Sequence, residues 1–448
     1  MKKSVVRYVC RNCGAESNSY SGKCYSCGEW NTLEEELQVA AEQVIKNGQI
    51  LKPATVTKVA RKDLSKRLPT GLRDVDMVLG GGLVAGSVCL IAGEPGIGKS
   101  TILLQIAHGV GLALQVLYVS GEESAHQLGM RAERLNANAK HLSVATSNSA
   151  DDIAATIASG VYSLVIIDSI QTMSCQAISS APGSVSQITN STHLLTAAAK
   201  QSNTALIIVG HVTKEGSIAG PKVLEHLVDV VLQLEGDRYG GFKVLRGVKN
   251  RFGSTNEVAI FEMQEQGLTA VKNPSSALLA ERQVSDGSVV LATMEGSRPI
   301  LVEVQALVNK TSYGYPKRTA SGIDLNRVNL LVAVLERRTK LNLSDQDIFI
   351  NIVGGLRLTE PAADLAICLA IGSAARGLQL KQNAVVFGEV GLSGEVRHVP
   401  YIDKRIEEAK KLGFDAVIGP VNRSGKKPAF LNGVTDVRSA LNQFLEKE

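Results

Sequence analysis

The chain has 448 residues, 44% hydrophobic and 20% charged, with 48 lysines and arginines against 43 aspartates and glutamates, a formal net charge of +5. That is more sequence than one core uses, so two or three domains are expected. No apolar run follows the Lys2-Lys3 pair and none approaches the roughly 18 residues of a membrane span, which excludes an integral membrane function and predicts a soluble, cytoplasmic protein; the mild basicity permits nucleic-acid binding without requiring it.

The first thirty residues hold Cys10, Cys13, Cys24 and Cys27 as two C-x-x-C pairs ten residues apart, each followed by a glycine. Two intervening residues let both thiolates of a knuckle face one ion, and two knuckles complete a tetrahedral four-sulfur site. A structural zinc ribbon over 1–30 is expected. Four thiolates leave no open coordination position, so the metal organises the fold. Cys89, Cys175 and Cys368 stand singly in apolar or mixed sequence and read as buried, reduced small hydrophobes. Residues 31–65 are polar, acidic at Glu34 to Glu36 and basic from Lys58 to Arg67, and read as a linker.

An apolar strand-like run then meets Gly93-Glu94-Pro95-Gly96-Ile97-Gly98-Lys99-Ser100-Thr101 and a helical period. This is G-x-x-x-x-G-K-[ST] in the context that the motif requires. Backbone N–H groups curl around phosphates, Lys99 reaches the β and γ phosphates, and Ser100 ligates Mg²⁺. ATP or ADP with Mg²⁺ is the expected ligand. The strand SLVIID delivers Asp168 as a Walker B carboxylate supporting the same metal. The strand VLYV is followed by Glu122 and Glu123, either of which can orient the attacking water, Glu122 being the first choice. A further strand ends at His211, a γ-phosphate sensor or a structural histidine, ahead of a Gly-rich loop. Alternating strands and helices over 66–270 predict a doubly wound, mostly parallel α/β sheet. Strands near 230 to 235, 243 to 248 and 257 to 262 follow one another without helices, which predicts antiparallel additions at one edge.

Lys249-Asn250-Arg251-Phe252-Gly253 lies past all the nucleotide groups. Lys249 or Arg251 supplies a transition-state cation to a neighbouring subunit, as arginine fingers do, or else contacts DNA phosphates. The phosphate loop with a carboxylate after the second strand resembles the RecA-type ATPase core. With the ribbon and the KNRFG motif, the whole chain resembles the bacterial RadA (Sms) DNA-repair family. That resemblance implies a DNA-dependent ATPase that promotes branch migration and heteroduplex extension in RecA-mediated strand exchange as a homo-hexameric ring. It implies single-stranded or branched DNA, the RecA filament and the replicative helicase machinery as partners. A nucleotide-switched scaffold without motor activity is the alternative. The family commonly carries an Arg-Glu pair where this chain has Thr189-Asn190.

After a linker at 271–284, residues 285–448 resemble the Lon-protease fold, an α+β domain. Lon-type chemistry needs a serine activated by a lysine. Here the corresponding positions read Ala362 and Asp403, with Lys404 one residue off register, so no peptidase activity is expected. Lys317, Arg318, Arg327, Arg337 and Arg338 are candidates for a DNA-facing surface or for solvated faces.

Overall fold

The computed structural model describes residues 5–13, 15–38, 67–212, 218–219, 223–236, 242–312, 314–421 and 429–446. Two compact units divide between residues 65 and 66. In the first, β1 (Val5–Cys10) pairs antiparallel with β2 (Glu16–Ser17) and with β3 (Leu33–Gln38). The last of these lies in the stretch expected to be linker. Its pairing runs unbroken from Cys10 against Leu33 to Val5 against Gln38, so the ribbon sheet extends beyond residue 30. Its apolar interior is little more than Cys10, Cys24 and Leu33, too small a core to hold a fold without a staple.

The second unit begins with α1 (Arg73–Leu79), then β4 (Val88–Gly93), α2 (Lys99–Gly111), β5 (Val116–Ser120), α3 (Ala125–Arg134), β6 (Leu142–Thr146), α4 (Ala150–Ala158), β7 (Leu164–Asp168), α5 (Val185–Ser202) and β8 (Ala205–Val212). A short helix α6 (Val223–Leu227) leads to β9 (Val230–Gly236), β10 (Phe242–Asn250), β11 (Val258–Gln264) and β12 (Gly267–Ala270). The sheet order is β12-β11-β10-β9-β4-β8-β7-β5-β6. Strands β9, β4, β8, β7, β5 and β6 are mutually parallel. Helices cover both faces: α2 packs with Val116 and Tyr118 on one, α4 and α5 with Leu117 and Val119 on the other. Burial on both faces explains the unbroken apolar runs in these strands. The expectation that the later strands are antiparallel fails for the first of them: β9 runs parallel to β4, and reversal begins only at β10.

The remainder comprises α7 (Pro274–Leu279), β13 (Ser288–Glu295), β14 (Arg298–Lys310), β15 (Arg318–Ser321), α8 (Leu325–Thr339), β16 (Gln346–Ile352), α9 (Asp364–Arg376), β17 (Ala384–Val386), α10 (Ile402–Lys411), β18 (Ala416–Pro420), β19 (Leu431–Val434) and α11 (Val437–Phe444). Its mixed sheet is ordered β15-β16-β14-β13-β17-β18-β19. Helix α7 occupies part of the expected 271–284 linker, started by the Asn273 cap and Pro274, and Ser275 Oγ ties it to Glu408 at 2.8 Å. Alternation along β10 and β11 joins the two lobes. Leu245, Ala259 and Phe261 enter the core of the parallel-sheet lobe, whereas Val244, Val258 and Ile260 enter the carboxyl-terminal core. The period-2 geometry of a strand thus makes one hairpin a shared wall. Cys89, Cys175 and Cys368 are buried free thiols. Among the described residues, no helix is long and apolar enough to cross a membrane.

Candidate nucleotide site and zinc centre

In the ribbon the four cysteine sulfurs lie within 4.8 Å of one another. Cys10 and Cys27 sulfurs are 3.7 Å apart, as are those of Cys13 and Cys24. A tetrahedron with zinc–sulfur bonds of about 2.3 Å has edges of about 3.8 Å, which the two 3.7 Å pairs match, so the donor set fits zinc. The Thr32 hydroxyl, 3.2 Å from Cys10 Sγ, favours the thiolate and lowers its pKa to about 6.

In the second unit, Gly93 ends β4 and the loop turns through Glu94, Pro95, Gly96 and Ile97 to Gly98, whose φ of 114° is left-handed, a conformation that glycine adopts without strain. Ile97 is buried and pins the loop to the core. No side chain caps the start of α2, leaving its first-turn N–H groups for an anion. Lys99 lies buried with Nζ on the carbonyls of Gly93 at 2.8 Å and Glu94 at 2.9 Å. Burial lowers its pKa, opposed by Asp168, Glu122 and Glu94, so a phosphate is a natural replacement partner for its charge. Ser100 and Thr101 follow on α2, in a cleft of about 350 Å³ that Ser120, Glu122, Glu123, Arg131 and Asp168 also line. A larger cleft of about 460 Å³ behind the loop, between Glu94, Arg246 and Arg357, contains neither Lys99 nor Asp168. Lys99, Ser100 and Asp168 therefore meet in the smaller one.

Parallel β5 and β7 carry the carboxylates to one edge because Ser120 pairs in register with Asp168. Asp168 Oδ2 accepts a 2.6 Å bond from the buried Tyr118 hydroxyl; burial and then the Asp168 charge raise the Tyr118 pKa well above its ordinary value, so it remains a donor. Glu122 Oε1 accepts from Ser169 Oγ at 2.7 Å. Ser120 Oγ accepts from the N–H groups of Glu122 and Glu123 at 3.2 and 2.8 Å, shaping the turn. Glu123 instead pairs with Arg131 at 2.5 Å. Tyr118, Ser120, Ser169 and Arg131 were not singled out from sequence; Tyr118 and Ser120 share a face of β5 with period 2, which is the signal that identifies them. His211 lies in β8 beside Gly93; its side chain, and residues 213–217 of the Gly-rich loop, lie outside the described residues.

Lys249 and Asn250 end β10, and Arg251, Phe252 and Gly253 follow in the turn beyond it. Lys249 Nζ donates to the carbonyls of Glu225 at 2.6 Å and Val228 at 2.8 Å, satisfying carbonyls at the end of α6. Arg251 is half exposed and pairs at 2.9 Å with the buried Asp229, whose Oδ2 also accepts from the Val88 N–H at 3.1 Å. Lys249 and Arg251 are thus both engaged within their own chain, Arg251 being the more exposed of the two.

In the carboxyl-terminal lobe Ala362 is buried. Lys404 reaches the Ser297 carbonyl at 3.0 Å and lies over the Tyr401 ring. Between these elements stands an ion pair: Arg405 and Glu360 make bonds of 3.0 and 2.7 Å. Arg327, expected among surface cations, is instead paired with the buried Asp364, Nε to Oδ1 at 2.9 Å. Asn190 folds back on the Ser186 carbonyl at 2.9 Å.

Family models match three segments: an AAA domain over 55–217, a rubredoxin metal-binding domain over 8–35, and subunit ChlI of Mg-chelatase over 325–423. The crystal structure of the RadB recombinase aligns at 23% identity and a TM-score of 0.37, over 46% of this chain and 100% of that one. DNA repair protein RadA of Halalkalibacterium halodurans is 47% identical over 99% of this chain and 100% of its own. That of Bacillus subtilis is 48% identical over the same shares, and that of Pseudomonas aeruginosa 46% identical over 100% of each. With identity of this order across its full length, the protein belongs to the family of DNA repair protein RadA.

Proposed function

We propose that the chain is a DNA-dependent ATPase that promotes branch migration and heteroduplex extension in RecA-mediated strand exchange, working as a homo-hexameric ring on single-stranded or branched DNA. Family membership and the phosphate loop together support an ATPase of DNA repair. The ring, the RecA filament and the replicative helicase machinery as partners extend that reading. The observation that carries it is the convergence of Lys99, Ser100, Glu122 and Asp168 on one cleft.

Lys99 and the first-turn N–H groups of α2 hold the β and γ phosphates of ATP. The Ser100 hydroxyl and the Asp168 carboxylate, hard oxygen donors lining the same cleft, would hold Mg²⁺, which when bound neutralises phosphate charge. Glu122 orients a water whose oxygen attacks the γ phosphorus as the bond to the β–γ bridging oxygen breaks, and its carboxylate takes the proton. Glu123, engaged by Arg131, is less suited to that part. His211 reports the γ phosphate to the following loop, and Arg251 serves the neighbouring subunit's nucleotide. Ala362 has no hydroxyl to act as a Lon-type nucleophile. The domain limits proposed are 1–30, 66–270 and 285–448, the first lengthened by the pairing of β3.

Strand exchange tests this function. Active protein should lengthen heteroduplex and K99A should not. Heteroduplex length indifferent to active protein would leave a nucleotide-switched scaffold.

A further inference from the structure

Arg67 is the first described residue after the stretch that follows the ribbon. Its guanidinium donates to three main-chain carbonyls: Nη1 to Leu79 at 3.1 Å and Gly82 at 3.2 Å, and Nη2 to Phe252 at 2.7 Å. The first two flank the glycine turn after α1; the third is in the KNRFG loop. That turn is shaped for this side chain. Gly80, Gly81 and Gly82 have φ values of 80°, 112° and 115°, a region that side-chain-bearing residues rarely enter. A Cβ on Gly81 would stand 3.3 Å from Arg67 Cδ, so the bare backbone forms a trough in which the arginine stem lies.

The KNRFG loop meets the same turn. Asn250 Nδ2 donates to the Leu79 carbonyl at 3.2 Å, and its Oδ1 accepts from the Phe252 N–H at 2.9 Å. A Cβ on Gly253 would lie 3.5 Å from Gly80 Cα. Arg67 and Asn250 therefore converge on one carbonyl and clamp the loop on either side of Arg251, whose half-exposed side chain pairs with Asp229.

We propose that Arg67 is a positioning residue that sets the KNRFG loop so that Arg251 can serve the nucleotide of an adjacent subunit. This rests on the trans-acting role of Arg251 proposed above. Arg67 acts through the loop, by a planar fork that reaches several acceptors at once; a lysine, a point donor, cannot span them.

The test mixes variants of the full-length chain and measures ATP turnover. R67A and R251A should each lose at least tenfold in kcat, with KM for ATP within twofold of the parent. Each should regain turnover when mixed with K99A, whose phosphate loop is dead but whose KNRFG loop is intact. Turnover near the parent value in R67A overturns the proposal. So does silence of the R67A and K99A mixture where the R251A and K99A mixture is active, since Arg67 would then support only its own subunit's fold or site. Silence of both mixtures removes the trans-acting role of Arg251, and the proposal falls with it. Should R67A not assemble, R67K fills the trough without bridging all three carbonyls and provides the same test.

Discussion

Replacing Arg405 by alanine removes a side chain that is fully buried in the carboxyl-terminal lobe. Its guanidinium pairs with both oxygens of Glu360 at 3.0 and 2.7 Å, donates to the Pro400 carbonyl at 3.2 Å and to the Ala292 carbonyl, and lies 5.4 Å from the Phe387 ring centre. Truncation leaves Glu360 bonded to Thr293 Oγ1 and the Met294 N–H alone. Breaking one side of such a pair costs about 3–5 kcal/mol, a shift of roughly two to three and a half decades in the unfolding equilibrium at about 1.4 kcal/mol per decade. Replacing both partners with apolar residues should recover most of that loss. The assay is urea unfolding of the full-length chain followed by far-ultraviolet circular dichroism, with ATP turnover read in parallel. Because β10 and β11 belong to both cores, structure and turnover should be lost together in R405A and be largely restored in R405M/E360L. A loss below about 1 kcal/mol in R405A, or a double variant as weak as the single, would refute the reasoning from this ion pair.

Glu122→Gln should lower kcat by about 10² or more with nucleotide binding retained, whereas Glu123→Gln, which removes only the partner of Arg131, should cost far less; single-turnover hydrolysis beside equilibrium nucleotide binding separates them. Glu295 is buried, and desolvation raises its pKa above the ordinary 4.5, opposed by Arg246 and reinforced by Glu235 and Glu360. A carboxyl raised in the folded state binds its proton more tightly there, so its stabilising contribution is full below about 4.5 and fades as pH climbs through the raised value. Stability of the parent relative to E295Q should accordingly fall across that window in urea titrations at stepped pH. Chelation of zinc should change the fluorescence of Trp30, the chain's single tryptophan, and leave basal turnover intact, because the phosphate loop lies in the other compact unit; zinc release assayed with a metal-sensitive dye checks the stoichiometry.

What sequence reveals here follows the distance over which each group acts. The phosphate loop is contiguous, and the zinc ligands repeat a spacing, so both are legible. Asp168 and Glu122 are legible because a parallel sheet carries strand ends to one edge. Tyr118 is not, since its partner Asp168 is 50 residues away and only the register of β5 on β7 joins them. The direction of β9 is invisible for the same reason: its parallel partner β4 lies far earlier in the chain. Lys249 and Arg327 advertise charge in the sequence, yet the α6 carbonyls and Asp364 that bind them are tertiary neighbours. Helix α7 is missed in a stretch that reads as linker, although Asn273 and Pro274, a cap and a first-turn proline, carry its start signal.

The most direct measurement is the ATP hydrolysis rate with and without single-stranded and forked DNA, across a salt titration, beside Lys99→Ala. Turnover should rise with DNA, the stimulation should fade as salt screens phosphate contacts, and K99A should be inactive throughout. Hydrolysis indifferent to DNA at every salt concentration, or persisting in K99A, would contradict a DNA-dependent ATPase built on this cleft.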